Sequence, residues 1–496
     1  MKKGIVAGLL SIISFAASAE TAYWTGEGEY SGREKCGTWD ASNFSTGELP
    51  TAETDLVLGT ISGQNTGIVL KEGEVGVVKS FTYALEGTSS EFRFYRNTAL
   101  IISQDLVSER RGTFVFMGDD GAGDLARISV GGNVIVGRSD NTNKSTANLR
   151  FGLTRSESNS GWRPLGQVEI AKDLTLYNAA SVQFNVGTTK TESEANISNP
   201  DVYIGGIINL VPGSGEMTNT NPTFYLTYRY GSSSTPTITP TASVISANGL
   251  SGNGTVYGGT ILDYYSEGCV GILHLRNDNA QTFSGWLRDG YGSKLKIVMD
   301  GTESGLQKMA GNSLIFSGGL EIRGGTFEIR RYDYTSTTVS GKSSDSHGKL
   351  TMLGGRFKFT PGDGIVSDAF GFDTFEYADG IIYLYVNQDG SDIIKLHDGT
   401  ITPLDDFTGK VVFELDGNLD LLLDNYVKIV EWTQKTALGN DNFYADDYGM
   451  SKAVFDVRDD GLYVKYSAIP EPAACAAVLG IFCIALAFFR HRNKIF

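Results

Sequence analysis

SLIFSGGLEIRGGTFEIR, residues Ser313 to Arg330, reads as strand, Gly-Gly, strand, Gly-Gly-Thr-Phe, strand. Apolar and polar residues alternate between the glycine pairs. That period of two belongs to a chain whose side chains point to opposite faces of a sheet. The paired glycines permit tight corners with positive φ. KLTMLGGRFKFT, Lys349 to Thr360, repeats the last half of the pattern, and TFSGW, Thr282 to Trp286, is a weaker copy of IFSGG, Ile315 to Gly319.

The theme runs outward over residues 52–378. ARISV (Ala126–Val130) is followed by GGNVIVG (Gly131–Gly137), then QVEI (Gln167–Ile170), DLTLY (Asp173–Tyr177) and SVQFNV (Ser181–Val186). Short alternating runs bounded by Gly, Asn, Asp and Ser are the strand signature, and helical periodicity is nearly absent outside the termini. Periodicity cannot separate stacked parallel coils from antiparallel sandwiches, so the residues leave both open. The copies over about 280–360 resemble the autotransporter-associated β-strand repeat, a resemblance that is thematic elsewhere. It implies a right-handed parallel β-helix, each turn burying alternate side chains.

Residues 20–51 carry Tyr23-Trp24-Thr25-Gly26, Trp39-Asp40, Asn43-Phe44 and Gly47-Glu48-Leu49-Pro50. This resembles the start of secreted bacterial β-solenoid passengers, and the tryptophans are expected to cap the open end of the stack. A carbohydrate-stacking platform or ordinary core is the alternative. From 379 to 467 the strands lengthen and become aromatic: GIIYLYV (Gly380–Val386), KVVFEL (Lys410–Leu415), YVKIVEW (Tyr426–Trp432) and GLYVKY (Gly461–Tyr466). This texture predicts a closing β-domain that hides the solenoid's C-terminal edge. Leu419 to Leu423 fits either a short helix or a buried strand.

Residues 1–19, MKKGIVAGLLSIISFAASA, place two lysines before an apolar stretch and end on Ala17-Ser18-Ala19. Small residues at Ala17 and Ala19 fit signal peptidase, so cleavage after Ala19 and export by the general secretory (Sec) machinery are expected. At the other end Pro470-Glu471-Pro472 precedes an apolar run, 473–489, and then Arg490, Arg492 and Lys494. Seventeen residues make a helix of about 25 Å, marginal against a hydrocarbon core of about 30 Å. A single transmembrane helix is predicted there, with the basic residues as a stop that stays cytoplasmic.

Residues 468–496 resemble the PEP-CTERM sorting signal of Gram-negative bacteria in motif, span, basic cluster and position. The resemblance implies recognition of Pro470, Glu471 and Pro472 by an exosortase. It also implies passage through the inner membrane to the cell surface or extracellular matrix, among exopolysaccharide and biofilm-type envelopes.

The formal net charge is −16. Lys2, Lys3, Arg490, Arg492 and Lys494 are five of the 41 basic residues, and neither the leader nor the segment after Pro472 holds an acid. The remainder carries 36 basic against 57 acidic residues, a net of −21. Such a surface repels nucleic acid, so no nucleic-acid partner is expected. Of four cysteines, Cys475 and Cys483 lie in the apolar run. Cys36 and Cys269 are the candidate disulfide pair in an oxidising compartment, two separate thiols being the alternative.

No catalytic constellation emerges. His274, His347 and His397 are far apart, and His491 lies in the basic tail. No GxSxG elbow, P-loop or HExxH is present. Asp119-Asp120, Asp405-Asp406, Asp446-Asp447 and Asp459-Asp460 sit in turn-rich contexts that keep paired acids solvated. Glycan cleavage by carboxylates and calcium binding are the two functional readings these pairs invite. Asp119–Asp124 lacks the twelve-residue loop ending in Glu. The triplets beginning at Asn43, Asn143 and Asn196 read as chance glycosylation matches in a bacterial chain. The expectation is a non-enzymatic exported surface or matrix protein without cofactor or metal, with exopolysaccharide or other glycans as candidate partners. A carbohydrate-active β-helix enzyme (polysaccharide lyase or glycosidase) or a glycan-binding adhesin is the alternative.

Overall fold

The computed structural model describes residues 20–26, 36–59, 67–85, 87–118, 126–139, 146–152, 165–186, 192, 195–213, 221–226, 242–259, 269–290, 293–311, 313–329, 348–360, 370–387, 390–405, 407, 409–469 and 481–486. The described chain is almost all β and winds as a solenoid with three faces. One turn runs from Val75–Val78 on the first face to Ser80–Tyr83 on the second and Thr88–Phe94 on the third. The next turn repeats this with Ala99–Ile102, Leu106–Ser108 and Gly112–Gly118, each pairing in parallel with its counterpart. Parallel pairing from turn to turn rules out the sandwich alternative.

On the second face fifteen strands follow one another from Glu20–Tyr23 to Phe443–Ala445, a stack about 65 Å long. The two quoted glycine-pair copies are adjacent turns, with Leu320 over Leu350 and Phe327 over Phe357. Between them the chain advances 30 residues. Elsewhere the advance ranges from 20 (Leu306 to Thr326) to 43 (Val202 to Ile245). The extra residues leave at the corners on either side of the third face, as at 137–146 and 212–222 before it and 187–201 and 226–241 after it, so a regular stack grows from an irregular repeat.

The interior follows from the alternation. Ile128, Val130, Val134 and Val136 point inward and are fully buried or nearly so, while Arg127 is exposed. On the third face Phe92, Phe116, Phe151 and Phe184 lie over one another in register. Their ring centroids are 6.0, 5.3 and 5.0 Å apart, and the last pair is tilted by only 6°. At the corner between the first and second faces a polar ladder satisfies the turning backbone. Asp105 Oδ1 accepts from Asn133 N–H at 2.7 Å, and Asp173 Oδ1 accepts from Ile207 N–H at 2.9 Å. Gln307, fully buried, donates to Leu250 O at 2.9 Å and accepts from Leu250 N–H at 3.0 Å. These partners offset the cost of burying polar groups.

Trp24 and Trp39 are buried in the first turn, each edge-on to Phe44 at 5.2 and 5.1 Å. They are core, not an exposed stacking platform. Residues 20–51 are not a separate unit, because Glu20–Tyr23 already pairs in parallel with Thr54–Leu58.

The change of texture at 379 is likewise not a change of architecture. A single strand, Thr374–Asn387, crosses that position and bends from the first face to the second. The aromatic strands within 374–387, 411–417 and 427–432 belong to the last turns of the same solenoid. What differs is the end. Val427–Trp432 pairs antiparallel with Gly461–Ala468, which pairs antiparallel with Ser451–Arg458. This hairpin closes the third face, and its outer strand carries Lys452, Asp456 and Arg458, charges that blunt an edge. Leu419–Leu422 is a 3₁₀ turn.

Residues 481–486 form a helical segment with Ile481, Phe482, Ile484 and Leu486 exposed. Among the described residues no helix is long and apolar enough to cross a membrane. The rest of the predicted span lies outside the described residues.

Candidate functional site

The most concentrated chemistry stands on the outside of the first face. Parallel register sets Tyr203, Ser246, His274, Val298 and Glu321 in one outward column. Ser246 Oγ lies 3.1 Å from His274 Nδ1, and Asp300 Oδ2 lies 3.5 Å from Nε2 on the other side of the ring. The second distance suits a charge contact rather than a strong hydrogen bond. Arg276 donates to Tyr203 OH at 3.1 Å and to Ile204 O at 2.8 Å, with its guanidinium 4.4 Å above the Tyr203 ring.

Ser, His and Asp in line suggest a nucleophile and its base. Access argues against it: Ser246 is 1% exposed and His274 4%. An acyl or phosphoryl group has no path to Ser246 Oγ in this arrangement. The contact gives Nδ1 of a buried imidazole its partner and leaves Nε2 with the Asp300 charge contact alone.

Beside the histidine lies a hollow of about 420 Å³ lined by Glu192, Ile197, Lys296, Glu321 and Arg323, among others. Its floor is unusual for an outer face, since Val244, Ile272 and Val298 are apolar and buried there. Ala195 and Ile197 pack on them, which accounts for the missing polar alternation. Around the rim Lys296 Nζ lies 3.2 Å from Glu321 and 3.9 Å from Glu192, and Arg323 lies 2.5 Å from Glu321. Burial would raise the Glu321 pKa, but Lys296 and Arg323 outweigh it and hold the carboxyl below its ordinary value. Each cation on this rim has a carboxylate within ion-pair distance.

Burial pushes the His274 imidazole below its ordinary pKa of 6.5; Asp300 opposes this, and Arg276 and Arg323 add to the lowering. The fold therefore prefers the neutral ring. Stability from this preference is complete above the unfolded-state value and is lost as pH falls from there through the lowered folded-state value. Glu321 has the same sign in a more acidic window, below its ordinary 4.5. Urea midpoints are expected to fall between pH 7 and 5, and the fall should be smaller in His274→Gln. Equal pH slopes for the two proteins would remove His274 as the cause.

The other sequence candidates are dispersed. Asp446, Asp447, Asp459 and Asp460 are exposed, and Lys435 and Lys428 pair with Asp459 and Asp460 at 3.0 and 2.6 Å. Asn43 is buried and donates to Thr38 O at 2.8 Å, which leaves it unavailable to a glycan. Among the described residues no group of three His, Cys, Asp or Glu is placed to hold a metal. Ala17, Ala19, Pro470, Glu471, Pro472, Arg490, Arg492 and Lys494 lie outside the described residues.

The candidate disulfide does not fit. Cys36 pairs across from Gly67 at the start of the third face, and seven strand steps separate it from Thr255–Tyr257, the strand before Cys269. Those steps span about 33 Å, whereas a disulfide needs its Cα atoms within about 7 Å. Cys269 itself is buried.

The described residues define a three-faced parallel β-solenoid on which Ser246 and His274 are buried and the rim cations Lys296 and Arg323 are ion-paired. No protein-family model matches the chain, and no curated protein matches it.

Proposed function

We propose that this chain is a non-enzymatic exported protein of the cell surface or extracellular matrix. Signal peptidase cuts it after Ala19 on the Sec route, and an exosortase sorts and cleaves it near Pro470-Glu471-Pro472. In this reading 473–489 spans the inner membrane as a helix, with Arg490, Arg492 and Lys494 as the stop. The solenoid, right-handed and closed at its C-terminal end by the β-hairpin, is the delivered body. Exopolysaccharide or another glycan is its partner outside the cell.

The observation that carries the reading is the pairing of two address-like termini around an acidic β-cargo. The fold supports it: a stack about 65 Å long suits a spacer or matrix element. The occluded Ser246 and the solvated acid pairs favour a structural body over an enzyme.

In a host with a working exosortase, mass spectrometry of the mature protein is expected to find an N-terminus at Glu20 and no peptide from 473–496. Glu471→Ala should leave the tail attached. A mature protein with its tail intact in that host would overturn the sorting role. Reducing ends released from matrix polysaccharide by the purified protein would overturn the non-enzymatic one.

A further inference from the structure

The chain leaves the solenoid at one corner of the closing hairpin. Ile469 N–H donates to Met450 O at 2.8 Å, fixing the exit beside a tight turn. In that turn Tyr448 and Ser451 exchange two backbone hydrogen bonds of 2.9 Å, and Gly449 takes the left-handed conformation. Leu423 bridges to Tyr466, and the Tyr448 ring lies 5.6 Å from the Tyr466 ring. Four apolar or amphipathic side chains therefore surround the exit: Met450 at 69% exposure, Ile469 at 45%, Leu423 at 38% and Tyr448 at 37%.

We propose that, in the chain before its tail is cut, this corner seats in the headgroup layer of a lipid bilayer, so that the hairpin end of the solenoid stands directly on the membrane. The proposal rests on the reading that 473–489 enters that membrane. Only Pro470, Glu471 and Pro472 join Ile469 to the apolar run, and three extended residues reach about 10 Å. The polar layer of one leaflet is itself about 5–8 Å deep, and the side chains of Met450 and Ile469 extend the reach.

Four exposed groups are too few to hold a protein on lipid unaided. Tethering by the tail raises their local concentration at the surface, so they orient rather than anchor. A tyrosine at the boundary keeps its ring in the apolar layer and its hydroxyl wet.

Charge selects the lipid. Asp420, Asp424, Asp446 and Asp447 surround the corner, with Tyr448 OH donating to Asp420 at 3.1 Å and Tyr466 OH donating to Asp446 O at 3.0 Å. Lys452 is the basic neighbour on the adjoining strand. An acidic ring is repelled by anionic headgroups, so a zwitterionic surface is favoured.

The test uses chain 20–496 with Met450→Trp, and separately with Lys71→Trp at the far end of the solenoid, in phosphatidylcholine vesicles brominated near the headgroup. The expected result is flotation that is lost when 473–489 is deleted. Quenching above the wild-type level should be about twofold greater for Met450→Trp than for Lys71→Trp. Added phosphatidylglycerol should reduce that difference. Tail-dependent flotation with equal quenching overturns the seated corner and leaves the tail reading standing. A chain that does not float removes the tail reading and the proposal together. Dimers that Met450→Asp breaks, without quenching, would assign the corner to a second copy and overturn the proposal.

Discussion

Phe151→Ala is expected to lower the unfolding free energy by about 3–5 kcal/mol, the range for removing a buried aromatic side chain without collapse of the space it leaves. Collapse is hard here. Phe151 is fully buried and lies in register between Phe116 and Phe184, with backbone hydrogen bonds fixing the turn above and the turn below. Neighbouring rings cannot slide into the gap without breaking those ladders. Urea unfolding of the wild type and the variant measures the difference. Phe184→Ala should cost a similar amount. The double variant should cost less than the sum, because the two rings stack 5.0 Å apart and each single change already forfeits that contact. Strict additivity would mean that the ladder is a row of independent fillers. A solenoid has mainly nearest-neighbour interfaces, so the loss should appear first as fraying of the turns around Phe151 and then as earlier global unfolding.

The same ladder shows how far the sequence could be read. Alternation in Gln167–Ile170, Leu174–Tyr177 and Ser181–Phe184 announces strands and their inward residues, and those strands form. The glycine pairs at 318–319, 324–325 and 354–355 announce corners, and the chain turns or bends there. Vertical register is what one sequence does not display. Ile297 sits under Leu320, 23 residues on, and Val202 under Ile245, 43 residues on, because corner insertions are free to vary while the ladder is not. Without register, Ser246, His274 and Asp300 are three unrelated residues, and the alignment of one face is what brings them together. Cys36 and Cys269 failed for the same reason: only the coil count shows their separation. The expected domain boundary at 379 was drawn from composition. Thr374–Asn387 carries the parallel ladder straight across that position, and the pairing turns antiparallel only at the terminal hairpin. Trp24 and Trp39 were expected to cap the stack, and the structure shows both buried in its first turn against Phe44.

Gly311→Ala should be as damaging as the loss of a core phenylalanine, although it adds one methyl group. Gly254, Gly285 and Gly311 occupy successive turns at the corner between the second and third faces. Backbone packs on backbone there: Trp286 N–H donates to Gly254 O at 2.8 Å, just after Gly285. A Cβ on Gly254 would meet Pro222 O at 2.6 Å, and one on Gly311 would overlap the carbonyl oxygen of Gly285. The obstacle is main chain rather than the end of a flexible side chain, so relief requires the whole turn to shift. Such a shift would strain the Leu287–Leu314 step above the corner and the Phe283–Met309 step beside it, both held by parallel pairing. Overpacking in a close-packed site costs about 1–3 kcal/mol when side chains can adjust, and the fixed backbone sets the expectation at about 3 kcal/mol or more. Gly409→Ala is the control, since a Cβ there meets nothing within 4 Å. It should be neutral or slightly stabilising, by less than about 1 kcal/mol, through the lower entropy of the unfolded chain. Denaturation midpoints of the two variants, with hydrogen exchange at Leu287 and Leu314, separate the alternatives. Loss of protection at that step in Gly311→Ala alone would locate the damage at the corner. A Gly311→Ala protein as stable as Gly409→Ala would mean that the turns are not packed as closely as the glycine column requires.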